Sequence, residues 1–189
     1  MGSDDLEPLG PAEAVNLYLD HREPELSEKS IENQRYRLNS FINFCQENNI
    51  ENLNSLTGRD LHRYRVWRRN GEGDKYGEIG KVTLRGILAT LRVFLEFCAG
   101  VDAVEPGLRE RVLLPNVDPE EASKDEKLPE DQAEAILEHL DRYHYASREH
   151  VIMAILWHTG IRMGGLRAFD ADDFDPDAPC IQIRHRPAT

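Results

Sequence analysis

Residues 81–99 carry the pattern that most restricts what this chain can fold into. Their large apolar side chains recur at helical spacing and, at 100° per residue, fall within one stripe about 120° wide. The stripe consists of Leu84, Ile87, Leu88, Leu91, Phe94, Leu95 and Cys98. It predicts a helix that buries one face, and such a helix needs further elements to cover that face.

Three more helices are predicted ahead of this one, over 11–21, 27–48 and 57–70. The third has the clearest bounds, because Thr57 and Asp60 match a capping box and Gly71 is suited to end the helix. Four successive helical patterns without a strand pattern between them predict a mainly α-helical domain over residues 10–117.

An acidic stretch divides the chain. Residues 118–131 hold seven acids, two prolines and a single large apolar residue, Leu128, so we expect a linker over 118–128. Beyond it the spacing predicts helices over 129–143, 148–158 and 163–168. The middle one of these is apolar nearly all round and is therefore expected to be buried. Alternating isoleucines predict one terminal strand over about 180–186, with no evident partner strand.

The net charge is negative overall but positive in one block. The chain has 23 basic and 35 acidic residues, a net charge of −12, and only five of the basic residues are lysines. This composition is typical of proteins from salt-accumulating halophiles and also fits an ordinary acidic cytosolic protein. Residues 59–92 nevertheless carry nine basic and four acidic side chains, a net charge of +5. The block indicates either a surface for a phosphate backbone or a solvated helix face paired with acids.

Three cations of this block share one flank of the predicted helix over 81–99: Lys81, Arg85 and Arg92. Lys81 and Arg92 lie roughly 16 Å apart along the helix axis, and a DNA duplex offers several phosphates over that length. We therefore predict that this flank binds DNA; the alternative is a fringe of long side chains around a core helix. The arginines expected to assist it from the preceding helix are Arg63, Arg65, Arg68 and Arg69.

Other classes of function are not indicated. No apolar run approaches the ~18–20 residues of a membrane span, and no signal-peptide pattern is present, so we expect a cytoplasmic protein without a membrane partner. Three cysteines do not make a disulfide framework, and Cys45 and Cys98 are expected to be small buried thiols. The glycine-rich loop over 71–80 lacks the context of a phosphate cradle and is expected to be mobile. The acids over 170–177 miss the glycine and glutamate of a calcium loop, so no metal, cofactor or small-molecule substrate is predicted.

One motif resembles a known family. His-Thr-Gly-Ile-Arg-Met-Gly-Gly-Leu over 158–166 resembles the first catalytic box of the tyrosine recombinases, the phage-type integrases. Residues 30–45 and 83–94 look like two helices of that family's N-terminal core-binding domain, and the chain looks most like haloarchaeal integrase-like proteins. The resemblance implies a SAM-like four-helix core-binding domain over 10–117 and a truncated, helical start of the catalytic domain over 129–189.

By the same resemblance, Arg162 is the arginine that clamps the scissile phosphate through its permanent charge and planar donor fork. The family pattern continues with a Lys, a His-x-x-Arg pair and a Tyr nucleophile, and no residue after the box matches them. Gly165 stands where the family has an acidic residue that helps to fix the box. The resemblance therefore implies a chain that holds double-stranded DNA during site-specific recombination or integration without cleaving it. Full-length recombinase subunits are a further expected partner.

Three alternatives stay open. On the first alternative, Arg162 is a structural residue that pairs with an acid near a helix end. On the second, the chain is a helical protein–protein interaction module, derived from an integrase, that no longer binds DNA. The third, an intact enzyme of a new type, requires a nucleophile and a base in reach of one another, and the sequence offers no such constellation.

Overall fold

The computed structural model describes residues 6–71, 77–118, 121, 127–175, 177, 180–182 and 184. The chain forms two compact units, Met1–Lys124 and Asp125–Thr189. The described residues contain seven α-helices and one two-stranded sheet. The mainly α-helical class predicted from the sequence is thereby confirmed.

The first unit is built on four helices: α1 (Pro11–Arg22), α2 (Glu28–Glu47), α3 (Gly58–Asn70) and α4 (Lys81–Gly100). Short 3₁₀ turns over Glu23–Glu25 and Leu53–Ser55 lie in the connections between α1 and α2 and between α2 and α3. A further 3₁₀ turn, Leu108–Arg111, follows α4 and packs against both α3 and α4. All four predicted helices are present, and each lies within two residues of its predicted bounds.

Local signals set both ends of α3. The Thr57 hydroxyl accepts a hydrogen bond from the Asp60 N–H, and the Asp60 carboxylate accepts one from the Thr57 N–H, which is the predicted capping box. At the other end Gly71 adopts the left-handed conformation, with φ of 69°, and its N–H donates to the Trp67 carbonyl. The helix that carries four of the predicted DNA-binding arginines therefore has fixed ends.

One hydrophobic cluster joins the four helices, and all seven residues of the α4 stripe are buried in it. The Phe94 ring lies 5.6 Å from the ring of Tyr18 on α1 and 6.2 Å from that of Phe41 on α2, measured between centroids. The Phe41 ring lies 5.4 Å from the ring of Tyr64 on α3. Inside this core the Tyr64 hydroxyl forms a 2.7 Å hydrogen bond with the Ser40 hydroxyl. The ring contacts of Phe94 fix the orientation of α4 about its axis, and the polar pair joins α2 to α3.

The two cysteines predicted to be buried are buried. Burial raises the pKa of the Cys45 and Cys98 thiols to about 12 in each case, because the surrounding apolar groups disfavour the thiolate. Cys180, in the second unit, is exposed.

The second unit contains α5 (Glu130–Tyr143), α6 (Arg148–Thr159), α7 (Met163–Arg167) and the short strands β1 (Phe174–Asp175) and β2 (Cys180–Ile181). The two strands pair antiparallel, with Phe174 opposite Ile181 and Asp175 opposite Cys180. The prediction that the terminal strand has no partner was wrong. The partner strand is only two residues long, so it shows no alternation in the sequence. Of the rest of the predicted strand, residues 183, 185 and 186 lie outside the described residues.

The prediction that the middle helix of this unit is buried was also wrong. No residue of α6 is buried, and the side chains of Val151 and Trp157 are 46% and 39% exposed. Within its unit α6 packs against α5 and α7, and these two helices leave part of its apolar surface open. An apolar composition on every face leads to burial only where elements are present to cover every face.

Candidate nucleic-acid interface

The predicted flank of α4 lies at the surface of the first unit. The side chains of Lys81 and Arg85 are exposed, and that of Arg92 is partly exposed, while the adjoining stripe faces the core. Because α4 is a regular helix with a fixed orientation, these three side chains leave it along one side.

The chain that follows α4 crosses this flank. Residues 105–121 are here named the post-α4 segment, of which 105–118 and 121 are described. A terminal nitrogen of the Arg85 guanidinium donates to the Pro115 carbonyl at 3.0 Å. The Lys81 ammonium lies 2.6 Å from a carboxylate oxygen of Glu121. Two cations one helical turn apart are thus engaged by oxygen acceptors of the same segment.

The Lys81–Glu121 pair is coupled but open to solvent. The hydrogen bond and the charge of Glu121 raise the pKa of Lys81, and the hydrogen bond from Lys81 lowers the pKa of Glu121. The two side chains remain 60% and 39% exposed, so water and salt screen their attraction. Lys81 therefore keeps its positive charge at neutral pH and is held by a carboxylate that another anion can replace.

Two cations that the sequence interpretation did not single out, Arg109 and Arg111, lie in the post-α4 segment. Arg109 forms an ion pair with Glu96 on α4. The stem of Arg111 packs against the first residue of α3, because a Cβ atom at Gly58 would lie 2.7 Å from the Arg111 Cδ. Glycine at that position permits this close approach. The short run Leu-Arg-Glu-Arg over 108–111 was the available signal, but it lies outside the basic block.

The five arginines of α3 differ in their surroundings, and four of them reach the surface: Arg59, Arg63, Arg65 and Arg69. Arg63 is exposed and donates to the side-chain oxygen of Asn48 at 2.6 Å. Arg69 is exposed and donates to the side chain of Asn70 at 3.1 Å, and Arg65 is partly exposed. Arg69 thus bonds to a neutral side chain, whereas Arg63 also donates to a carboxylate oxygen of Asp60 at 3.5 Å.

Arg68 is the exception, since only 4% of it is exposed. Its guanidinium donates to the Gly77 carbonyl at 3.3 Å, and the Ile79 N–H donates to the Arg69 carbonyl at 3.2 Å. These bonds tie the end of α3 to the residues just ahead of α4. Arg68 thus holds the start of α4 in place from the interior. Residues 72–76 of the glycine-rich loop, predicted to be mobile, lie outside the described residues.

Arg162, the predicted phosphate clamp, lies in the second unit. It is exposed and immediately precedes α7, where its carbonyl accepts hydrogen bonds from the N–H groups of Gly165 and Leu166 at 2.8 and 3.1 Å. Its guanidinium forms no hydrogen bond or ion pair with the residues that the structure describes in this unit. The backbone around the motif is thus ordered by α7, and the side chain extends to solvent.

In the part of the chain that the structure describes, neither a metal site nor a membrane-spanning helix is present. No group of three or more His, Cys, Asp and Glu side chains there is placed to hold a metal ion. Of the aspartates after α7, Asp173 accepts a hydrogen bond from the Asp170 N–H at 2.9 Å and so caps a 3₁₀ turn. No described helix is long and apolar enough to cross a membrane.

Comparisons with known proteins bear on the four-helix unit. Residues 15–99, which run from α1 into the end of α4, match the family described as phage integrase, N-terminal SAM-like domain. The chain is also similar to a crystal structure of the N-terminal domain of a phage integrase/site-specific recombinase from Haloarcula marismortui. That match has a TM-score of 0.52 and 36% sequence identity, and it covers 58% of this chain and 99% of the other. No curated protein matches the chain.

Proposed function

Because the chain belongs to the phage integrase family of site-specific recombinases, we propose that its four-helix unit is a core-binding domain that holds double-stranded DNA through the flank of α4. Family membership gives the chain a role in site-specific recombination. The finer proposal, that this chain contacts the duplex through named residues, rests on the surface of the first unit.

The proposal rests on the exposure of Lys81 and Arg85 and on the oxygen acceptors to which they donate. Both are exposed on a helix whose other face is locked in the core, and both already donate to oxygen acceptors. Oxygen acceptors spaced along a strand are what a phosphate backbone presents, and Lys and Arg are the side chains that bind it. A rigid helix also presents them without the entropy cost of ordering a loop.

Further cations extend this surface on both sides. Arg92 lies on the same flank, and its side chain is partly exposed. Arg111 is exposed and packs against the first residue of α3. The proposed phosphate contacts are Lys81, Arg85, Arg92, Arg111, Arg63, Arg65 and Arg69, with Arg68 holding the start of α4 from the interior.

The second unit has a different place in the proposal. We assign residues 10–117 to the core-binding domain, 118–128 to an acidic linker and 129–189 to the start of a catalytic domain. Arg162, exposed ahead of α7, is proposed to contact a DNA phosphate. Full-length recombinase subunits are the proposed protein partners.

Charge reversal on the flank tests the proposal. The Lys81→Glu/Arg85→Glu variant is compared with Lys29→Glu/Arg35→Glu, a pair of exposed cations on α2 that gives the same change in net charge. Binding to a fluorescent duplex of about 30 base pairs is followed by anisotropy. We expect the flank variant to lose at least about tenfold in affinity and the α2 variant to lose far less.

Equal losses from the two variants would show that net charge, and not the flank, determines binding. A folded wild-type chain that binds no duplex at any salt concentration would overturn the DNA proposal. That result would favour the second candidate, an integrase-derived interaction module. The observation in favour of that candidate is the apolar surface of α6, which is open to solvent within its unit.

A further inference from the structure

We propose that the post-α4 segment regulates the DNA-binding flank, with the Glu121 carboxylate competing against a DNA phosphate for the Lys81 ammonium. This inference rests on the proposed function, since it concerns the same surface. The cations of the flank raise the affinity of the site for DNA, and on this inference Glu121 lowers that affinity.

The geometry of the two contacts places the segment where a phosphate backbone would lie. Lys81 and Arg85 are four residues apart, so their side chains lie one above the other on α4. Glu121 and Pro115 supply the two acceptors, at 2.6 and 3.0 Å. One acceptor carries a full negative charge at neutral pH, as a phosphate does. A phosphate of the duplex cannot accept the Lys81 N–H that already donates to Glu121.

The two ends of the segment are held to different degrees. Near α4 it is anchored, because Leu108 and Val112 are 5% and 2% exposed in the core and Arg109 pairs with Glu96. Pro115 is also buried. Farther along, Asp118 and Glu121 are exposed. The segment is thus fixed at its first part, and the Glu121 carboxylate is the part that a competing anion can displace.

Arg85 and Lys81 therefore respond differently to DNA. A guanidinium has five N–H donors, so Arg85 can keep the Pro115 carbonyl and still donate to a phosphate. The Pro115 contact then positions Arg85 for binding. The Lys81 ammonium also has three N–H donors, but its partner is an anion, and a phosphate at the same ammonium would bring two negative charges together, so that pair must open. Because exposed pairs are weak, the competitor reduces the affinity without abolishing binding.

A double-mutant cycle tests the competition. Duplex affinity is measured for the full chain, for Glu121→Gln and for the matched control Glu23→Gln, which removes an exposed carboxylate at the end of α1. We expect Glu121→Gln to bind about two- to fivefold more tightly than both the wild type and the control. In a Lys81→Gln background the same Glu121→Gln change is expected to have no effect, since the competed donor is absent.

A second readout does not use DNA. The rate at which an amine-reactive reagent modifies Lys81, followed by peptide mass spectrometry, is expected to rise in Glu121→Gln and to stay unchanged in Glu23→Gln. The pair raises the pKa of Lys81, and the reagent needs the neutral amine. An unchanged rate in Glu121→Gln would show that the pair does not form, and it would overturn the inference.

The failure of this inference is distinct from the failure of the proposed function. If Lys81→Glu/Arg85→Glu loses DNA binding but Glu121→Gln behaves like Glu23→Gln, the flank binds DNA and Glu121 is not a competitor. If the gain from Glu121→Gln persists without Lys81, the carboxylate acts through general repulsion, and the competition is refuted. If neither the wild type nor any variant binds DNA, both proposals are refuted.

Discussion

Helices α4 and α6 are both rich in large apolar residues, and the structure buries them to very different extents. Eight residues of α4 are buried, whereas none of α6 is. The apolar residues of α4 form one stripe, which three other helices and the post-α4 segment can cover together. Those of α6 lie on every side, and in the described part of its unit the helices that pack against it are α5 and α7. A small bundle can therefore bury a helix whose apolar residues form one stripe, but it leaves a helix that is apolar on every side partly exposed.

The same contrast extends to the units as a whole. Among the described residues, the only buried hydrophobic residues outside the first unit are Ala133 and Ala168. An open groove of about 750 Å³ runs along α6, with Val151, Ile155 and Leu166 in its lining. A closed core fixes the positions of surface cations, which a phosphate-binding surface requires. This is why the proposed DNA contacts are placed mainly in the first unit.

The largest expected effect comes from truncating one large apolar residue in each unit. Phe94→Ala removes a fully buried ring that contacts α1 and α2, and it should lower the free energy of unfolding of the first unit by about 3–5 kcal/mol. Trp157→Ala removes a ring that is 39% exposed and should cost less than about 1 kcal/mol. Urea unfolding followed by circular dichroism measures both. Similar losses would contradict the contrast between a closed and an open unit.

A smaller effect is expected from the helix caps. Thr57→Ala removes the capping box of α3 and should destabilise the first unit by about 0.5–2 kcal/mol. Ser147→Ala removes the equivalent side-chain cap of α6 and should leave the unfolding transition of the first unit unchanged. A Ser147→Ala change that shifts the α1–α4 transition as much as Thr57→Ala would show that the two units unfold as one.

Thiol labelling tests the same contrast without changing the stability of either unit. In the native chain at pH 8, a thiol reagent should modify Cys180 and spare Cys45 and Cys98, which are buried and whose pKa values of about 12 keep them neutral. All three should react in urea. Rapid native labelling of Cys98, detected by peptide mass spectrometry, would mean that the first unit opens readily.

The same pKa values determine whether the stability of the first unit rises or falls with pH. Burial raises the pKa of both thiols from 9.0 to about 12 in the folded state, so above pH 9 the unfolded chain releases protons that the folded chain keeps. Their contribution to stability is complete below pH 9 and is lost as the pH rises toward 12. The urea midpoint of the first unit should therefore fall above pH 9, and a Cys45→Ala/Cys98→Ala variant should lose less of its midpoint over that range.

Helix bounds and the flank of α4 followed from the sequence because both depend on local rules. The capping box at Thr57 and the left-handed Gly71 set α3, and the period of 3.6 residues per turn places Lys81, Arg85 and Arg92 on one side. The burial of Arg68 also had a sequence signal, since it follows Leu61 by seven residues and Tyr64 by four, on the core face.

What the sequence did not reveal depends on contacts between distant residues. The passage of the post-α4 segment over the flank joins Arg85 to Pro115, thirty residues later, and no periodic pattern encodes that pairing. The approach of Arg111 to Gly58 is of the same kind. The burial of α6 was mispredicted for a related reason, since burial depends on which elements are available to pack.

The salt dependence of DNA binding tests the central claim, that the α4 flank contacts phosphates, most directly. The slope of log Kd against log salt concentration is measured for the wild type and for Lys81→Gln/Arg85→Gln, with Lys29→Gln/Arg35→Gln as the matched control. Each phosphate contact contributes about 0.9 to the slope, so the flank variant should have a slope smaller by roughly 1.8 and the control an unchanged one. Parallel lines for the wild type and the flank variant would contradict the claim, because they would mean that Lys81 and Arg85 release no counterions from DNA.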